Sequence, residues 1–325
     1  MKTELKIASK SKYIQVILAF CCIVFGALCG ILGEIAFPLP IAFLATLFLF
    51  DSTKQRRLSV VISLVLVAMN IATITFRLSS SLFGVASVIL AYLIYQAFSK
   101  KQSKSDYAFI MTLIGGFIIL GGYILLPMNL KGEYTREVVT EFYGSVVSTL
   151  RDAFVDLFYE AYTTAGLEIT KDMITEIFNA QVNMVISYLL IAAFFVVGVS
   201  FKLFGLLVRK LASDDSEIAS FRFFTSSLFA YFYVILTLVS MFASALTGIF
   251  GIVILNLYNF FLFVYSYVGF NLVFTSLVKK FKPFISFIIL IFALALMSTL
   301  AVQILAVLGV LFTIRKNAEI GLSTK

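Results

Sequence analysis

Histidine and tryptophan are absent from this chain of 325 residues. Without His, the most common general base near neutral pH and the most common metal ligand are both missing. Ser/His and Cys/His nucleophilic pairs and the H-E-x-x-H zinc site go with it. Cysteine is scarce too. Cys21, Cys22 and Cys29 all fall inside one apolar run, where they act as small hydrophobes, and their spacing suits neither a zinc site nor a disulfide framework. No G-x-x-x-x-G-K-S/T loop occurs, so ATP hydrolysis by that route is excluded. The expectation is a protein that is not an enzyme and holds no cofactor or metal.

The most informative shortage is of charge. Only 13% of residues are charged, against about a quarter in soluble domains, and mean hydropathy is +1.06. The charges sit in short islands. None interrupts Tyr13 to Gly33, Leu58 to Phe76, Leu78 to Ser99, Tyr107 to Leu130, Phe223 to Val278 or Pro283 to Ile314. About 20 apolar residues in a helix cross the hydrocarbon core, so repeated runs of this length predict an all-α, polytopic transmembrane helix bundle. We expect eight to ten spans in a single membrane domain covering 1–325. Net charge is +8, but the basic residues flank the apolar runs, as topology requires, and nucleic-acid binding is not expected.

Span 1, about 13–33, follows Lys2, Lys6, Lys10 and Lys12, which places the N-terminus in the cytoplasm of a bacterial plasma membrane. No small-residue cleavage site follows it, so it reads as a retained helix. Glu34 marks the outer turn, and segment 2, about 35–50, opens on Pro38 and Pro40. Lys54, Arg56 and Arg57 return the chain to the inside. Spans at 58–76 and 79–98 flank Arg77, Lys100, Lys101 and Lys104 are again inside, and span 5 covers 107–127. Later spans are expected at 182–208, twice within 223–278 with a break near Gly248 and Gly251, and at 284–312. A single last span puts Arg315 and Lys316 outside, against the positive-inside rule, so 284–312 is either a bent hairpin or follows a miscounted segment.

Residues 128–181 differ from the rest. Residues 128–180 hold nine of the 17 acidic residues and only four basic ones, Lys131, Arg136, Arg151 and Lys171. Val139, Phe142, Val146, Leu150, Phe154, Leu157 and Ala161 recur at helical spacing, with Glu137, Glu141, Ser145, Ser148, Asp152 and Glu160 opposite. This predicts an extracytoplasmic amphipathic insertion, too charged to span, lying on the membrane surface or capping the bundle. A second short helix is expected near 170–181 with Thr170 as N-cap.

Two polar or small-residue patterns could carry function. Asn256, Asn259, Ser266, Tyr267 and Asn271 fall within an arc of roughly 140° at about 100° per residue. Buried amides in lipid need partners, so the arc is either interhelical glue or a solute-binding site. Cys22, Gly26 and Gly30 repeat every four residues, a face for close helix packing inside the chain or for docking a partner.

The order of parts resembles the YybS-like family of bacterial membrane proteins of unknown function. The resembling elements are Phe37-Pro38-Leu39-Pro40 after span 1, the acidic amphipathic segment, and the span ending Leu207-Val208-Arg209-Lys210. Leu255-Asn256-Leu257-Tyr258-Asn259 and the close at Leu308-Gly309-Val310 with Arg315-Lys316 complete it. Such families look distantly similar to the S-components of energy-coupling-factor transporters. That resemblance implies capture of a small molecule, with a transmembrane coupling protein and ATPase subunits as partners. Two functions are therefore expected to compete: a substrate-specific transporter component, and a scaffold or regulator acting through the amphipathic segment.

Overall fold

The computed structural model describes residues 11–51, 57–76, 82–99, 104–212, 226–242 and 248–323. The basic islands at 2–10, 54–56, 77, 100–101 and 222 lie outside the described residues. Among those described, eleven α-helices and one 3-10 turn occur and no strand: α1 Ser11–Leu32, the 3-10 turn Gly33–Ala36, α2 Pro38–Asp51, α3 Arg57–Thr75, α4 Phe83–Ser99, α5 Lys104–Lys131, α6 Arg136–Thr164, α7 Lys171–Val182, α8 Val185–Ala212, α9 Ser227–Ser240, α10 Ile249–Val278 and α11 Pro283–Ser323.

Among the described residues, six helices are long and apolar enough to cross a membrane: Tyr13–Leu32, Leu58–Thr75, Ala108–Lys131, Val185–Leu211, Ile249–Val278 and Thr299–Lys316. The apolar helices α2, α4 and α9 are shorter, at 14, 17 and 14 residues. The C-terminal run does not bend into a hairpin. It is one 41-residue helix, about 60 Å long at 1.5 Å per residue. The expected break in 223–278 is present, with Gly248 at φ +81° immediately before α10. A side chain there would be strained, so the break falls on a glycine.

The described chain divides into two compact units. The first comprises Met1–Val182 and Ala192–Arg222. In it α2 is apolar all round and buried along almost its whole length, which is the pattern of a central helix. Pro38 starts it at the first helical position, where the missing N–H costs nothing. Phe25 of α1 stacks on Phe43 at 5.4 Å, and Phe48 meets Tyr92 and Tyr95 of α4 at 5.9 and 6.0 Å.

The second unit comprises Asn183–Ile191 and Phe223–Lys325. Its axis is the antiparallel pair α10 and α11. A Cβ on Gly269 would lie 1.9 Å from the Leu305 carbonyl oxygen, and one on Gly309 would lie 2.1 Å from that of Tyr265. The two backbones therefore touch at a point only glycine allows. Ser266 Oγ donates to the Val302 carbonyl at 2.8 Å beside it. Tyr233 of α9 packs on Tyr265 and Tyr258 of α10, with centroids at 5.1 and 6.1 Å.

These contacts predict opposite signs for two Gly→Ala changes. Gly269→Ala forces a methyl into backbone and should destabilise by about 1–3 kcal/mol. A Cβ at Gly198, inside α8, meets nothing within 4 Å. Gly198→Ala should be neutral or gain up to about 1 kcal/mol from helix propensity. Thermal melts in detergent check both, and a G269A protein that melts like wild type would contradict the close crossing.

Candidate functional site

At three helix starts a distant residue supplies the acceptor for a first-turn amide. The residues preceding α4 and α8 are Leu82 and Met184, and α3 follows Arg56; none is a Ser, Thr, Asp or Asn, the residues that normally cap. The first N–H groups of a helix have no partner inside it. In each case a carbonyl or carboxylate from elsewhere in the chain supplies one. Asp51, the buried last residue of α2, accepts from Ser59 N at 3.0 Å and Ser59 Oγ at 2.8 Å. Asn70 Oδ1 of α3 accepts from Gly84 N at 3.0 Å and Val85 N at 3.3 Å. Asn256 Oδ1 of α10 accepts from Ser187 N at 2.8 Å. These are second- and third-position amides, the ones an N-cap side chain would normally serve.

The polar arc is thereby divided. Asn256 is buried, and its Nδ2 donates to the carbonyls of Asn183 at 2.6 Å and Ile252 at 2.8 Å, so its whole amide is used inside the second unit. Asn259 Nδ2 reaches Met184 Sδ at 2.9 Å, and a thioether is a weak acceptor. Ser266 is taken up by the α11 crossing. Asn271 is exposed, and its amide bonds the Tyr267 carbonyl of its own helix at 2.9 Å. From Asn256 to Asn271 the arc runs along about 22 Å of helix, so its five residues do not converge on one small ligand.

The small-residue face of α1 is turned inward. A Cβ on Gly26 would meet Leu66 Cδ2 at 2.4 Å, and one on Gly30 would meet Thr73 Cγ2 at 2.7 Å, both on α3. Cys22 is fully buried with them. No group of three His, Cys, Asp or Glu side chains able to hold a metal ion occurs among the described residues. The side chain of Glu34 lies outside those described.

The amphipathic segment forms a helical hairpin, α6 and α7. Thr135 caps α6, accepting from Val138 N at 3.4 Å, and Thr170 caps α7 as expected, accepting from Met173 N at 3.3 Å. Gly166, at φ +73°, turns the chain between them. Val155 and Ile174 are buried, and the Phe154 ring meets Phe178 at a tilt, with centroids 5.4 Å apart. Lys171 pairs with Asp156 at 2.7 Å and lies over the Tyr159 ring at 5.3 Å. At the base, Tyr143 donates its hydroxyl to the Tyr123 carbonyl of α5 at 2.6 Å, and Lys131 pairs with Glu141 at 2.6 Å.

Much of the apolar face is uncovered. Leu150 is 55% exposed, Leu157 66%, Met173 53% and Ile177 50%. The hairpin core instead uses Val155, which the sequence stripe did not include. The two helices pack on a flank of α6 next to that stripe, so Phe154 meets α7 while Leu150 and Leu157 stay open.

The fold and its lipid-length helices define a polytopic helical membrane protein. The chain belongs to the DUF2232 family of predicted membrane proteins, whose model matches residues 14–311. No curated protein and no solved structure matches it.

Two outcomes follow. Asn256→Leu leaves Ser187 N and the Asn183 carbonyl without their partner, at about 1–3 kcal/mol for each group. It should melt well below wild type, whereas Asn271→Leu should melt within a degree or two of it. Equal melting of the two variants would contradict the capping role. The Lys131 ammonium also holds the Glu141 carboxyl below its ordinary pKa. The pair therefore contributes fully above the ordinary glutamate pKa and fades as pH falls through the lowered value. Proteolysis at the hairpin base should rise only on that acidic side, and Glu141→Gln should flatten the dependence.

Proposed function

We propose that this protein is a scaffold of the bacterial plasma membrane whose working surface is the α6–α7 hairpin. In this reading the N-terminus is cytoplasmic and the hairpin extracytoplasmic, as the low Lys and Arg content of 128–180 supports. The observation that carries it is the contrast between the two candidate surfaces. The polar arc is largely consumed by internal hydrogen bonds. The hairpin, by comparison, keeps large apolar side chains open beside an acidic side. Exposed apolar groups of this size on non-spanning helices mark a surface that attaches to membrane or protein, and the acidic side beside them stays open to a partner.

A second reading keeps one observation in its favour. Asn259 donates to a thioether alone, and a bound solute could offer a better acceptor. This is the transporter-component reading that the likeness to YybS-like proteins and S-components implies, with a coupling protein and ATPases as partners.

A photoreactive amino acid placed at Ser148 or Asp152 in intact cells separates the two. The scaffold reading expects discrete protein adducts from these positions, lost when Lys171→Glu breaks the ion pair that joins the helices. It also expects no vitamin, amino acid or metal ion to raise the melting point of the purified protein. A solute that raises it by several degrees, with the rise abolished by Asn259→Leu, would overturn the scaffold in favour of the transporter component.

A further inference from the structure

The exposed apolar side of the hairpin needs an occupant, and the rotational setting of its helices defines that side. On α6, Leu150, Phe154 and Leu157 lie within an arc of about 60° at about 100° per residue. Asp152 and Asp156 lie on the far side of the same helix, and Glu160 lies at the edge, about 60° from Leu157 at about 100° per residue. Two contacts fix α7 against it: Phe154 with Phe178 on the apolar side, and Asp156 with Lys171 on the acidic side. Ile177 precedes Phe178, and Met173 lies one turn before Ile177. The hairpin is thus two-sided, with Leu150, Leu157, Met173 and Ile177 open on one side and the carboxylates on the other.

Its attachment sets where that apolar side lies. Only residues 132–135 separate α6 from α5, a helix long and apolar enough to cross a membrane. Only Asn183 and Met184 separate α7 from α8, another such helix. Both feet of the hairpin therefore stand on spans. The Tyr143 hydroxyl bonds the Tyr123 carbonyl, which folds α6 back beside α5. Tyr123 lies eight residues before the end of α5, about 12 Å along its axis. Tyr143, in the second turn of α6, thus sits beside the last third of the α5 span rather than beyond it. Phenol side chains at such a level suit the headgroup boundary, where an apolar ring and a polar tip are both accommodated. Leu130 of α5 is exposed at the first foot, so open apolar surface continues from that span into the hairpin.

We propose that the apolar side of the α6–α7 hairpin is buried in the lipid leaflet next to it, at the boundary of headgroups and acyl chains, with the acidic side turned to water. The acid-rich composition gives anionic headgroups nothing to attract, so the attachment is hydrophobic and indifferent to lipid charge. The inference rests on the hairpin being the working surface, and it deepens that reading by leaving the acidic side as the one a partner can meet.

The test uses the full-length protein in phosphatidylcholine vesicles, with Cys21, Cys22 and Cys29 replaced by Ala. A nitroxide is attached at single cysteines introduced by Leu157→Cys, Ile177→Cys or Leu150→Cys on the apolar side, and by Ser148→Cys or Asp152→Cys on the other. Oxygen reports lipid exposure and a nickel chelate reports water. Positions 150, 157 and 177 should show high oxygen and low nickel accessibility, at a depth of about 5–10 Å below the phosphates. Positions 148 and 152 should show the reverse, and replacing a third of the lipid with phosphatidylglycerol should change neither. Equal nickel accessibility on both sides would overturn the proposal. Shielding of 150, 157 and 177 from both reagents would overturn it too, since protein, such as a second copy of the chain, would then cover them. Any one apolar position that folds suffices, because three report the same surface. Depth can fail while adducts at Ser148 persist, and adducts can fail while depth holds, so the two proposals fall separately.

Discussion

The first amides of a helix have no partner within it, and hydrocarbon offers no water in their place. The starts of three helices in this protein answer that constraint. Asp51, Asn70 and Asn256 each aim an acceptor at the start of another helix, at Ser59, Gly84 with Val85, and Ser187. Each of these bonds does two things at once. It satisfies a donor that would otherwise cost free energy in an apolar layer, and it fixes how two helices meet. Gly84 shows the second effect, since a Cβ there would lie 2.2 Å from the Leu66 carbonyl on the helix that carries Asn70. The glycine lets α4 approach α3 closely enough for Asn70 to reach its amides.

Much of the architecture was legible in the sequence because burial in lipid is written in the spacing of charges. The apolar runs, the break before α10, the proline start of α2 and the Thr170 cap all came from local signals of one turn or one span. The capping contacts did not, because donor and acceptor lie 14 residues apart for Asn70 and 69 for Asn256. A weak signal was present all the same. Leu82 and Met184 stand where a Ser, Thr, Asp or Asn would normally cap, and such a gap in an apolar chain points to a buried amide elsewhere. The uninterrupted course of α11 decides between the two readings left open for 284–312, a bent hairpin or a single span after a miscounted segment. Periodicity cannot tell a long tilted helix from a hairpin when no charge, glycine pair or proline marks a turn.

The candidate surfaces sort along the same line. Asn256, Ser266 and the Cys22, Gly26, Gly30 face are polar or small residues at helix contacts, and their positions are explained by the packing they allow. The α6–α7 hairpin has apolar side chains in excess of what its own core needs, and that excess calls for something outside the chain. Its sequence stripe indicated amphipathicity correctly in kind. Which residues stay open was decided by the flank on which α7 packs, a choice made by Val155, Ile174 and the Phe154–Phe178 contact.

Amide hydrogen exchange in a lipid nanodisc, read at single residues, addresses the capping contacts most directly. The amides of Ser59, Gly84 and Ser187 should exchange as slowly as those in the middle of their helices, although they stand in first turns. Exchange there at the fast rate of a frayed helix end, with the helix interiors still protected, would contradict capping across helices as the way these helix starts are satisfied.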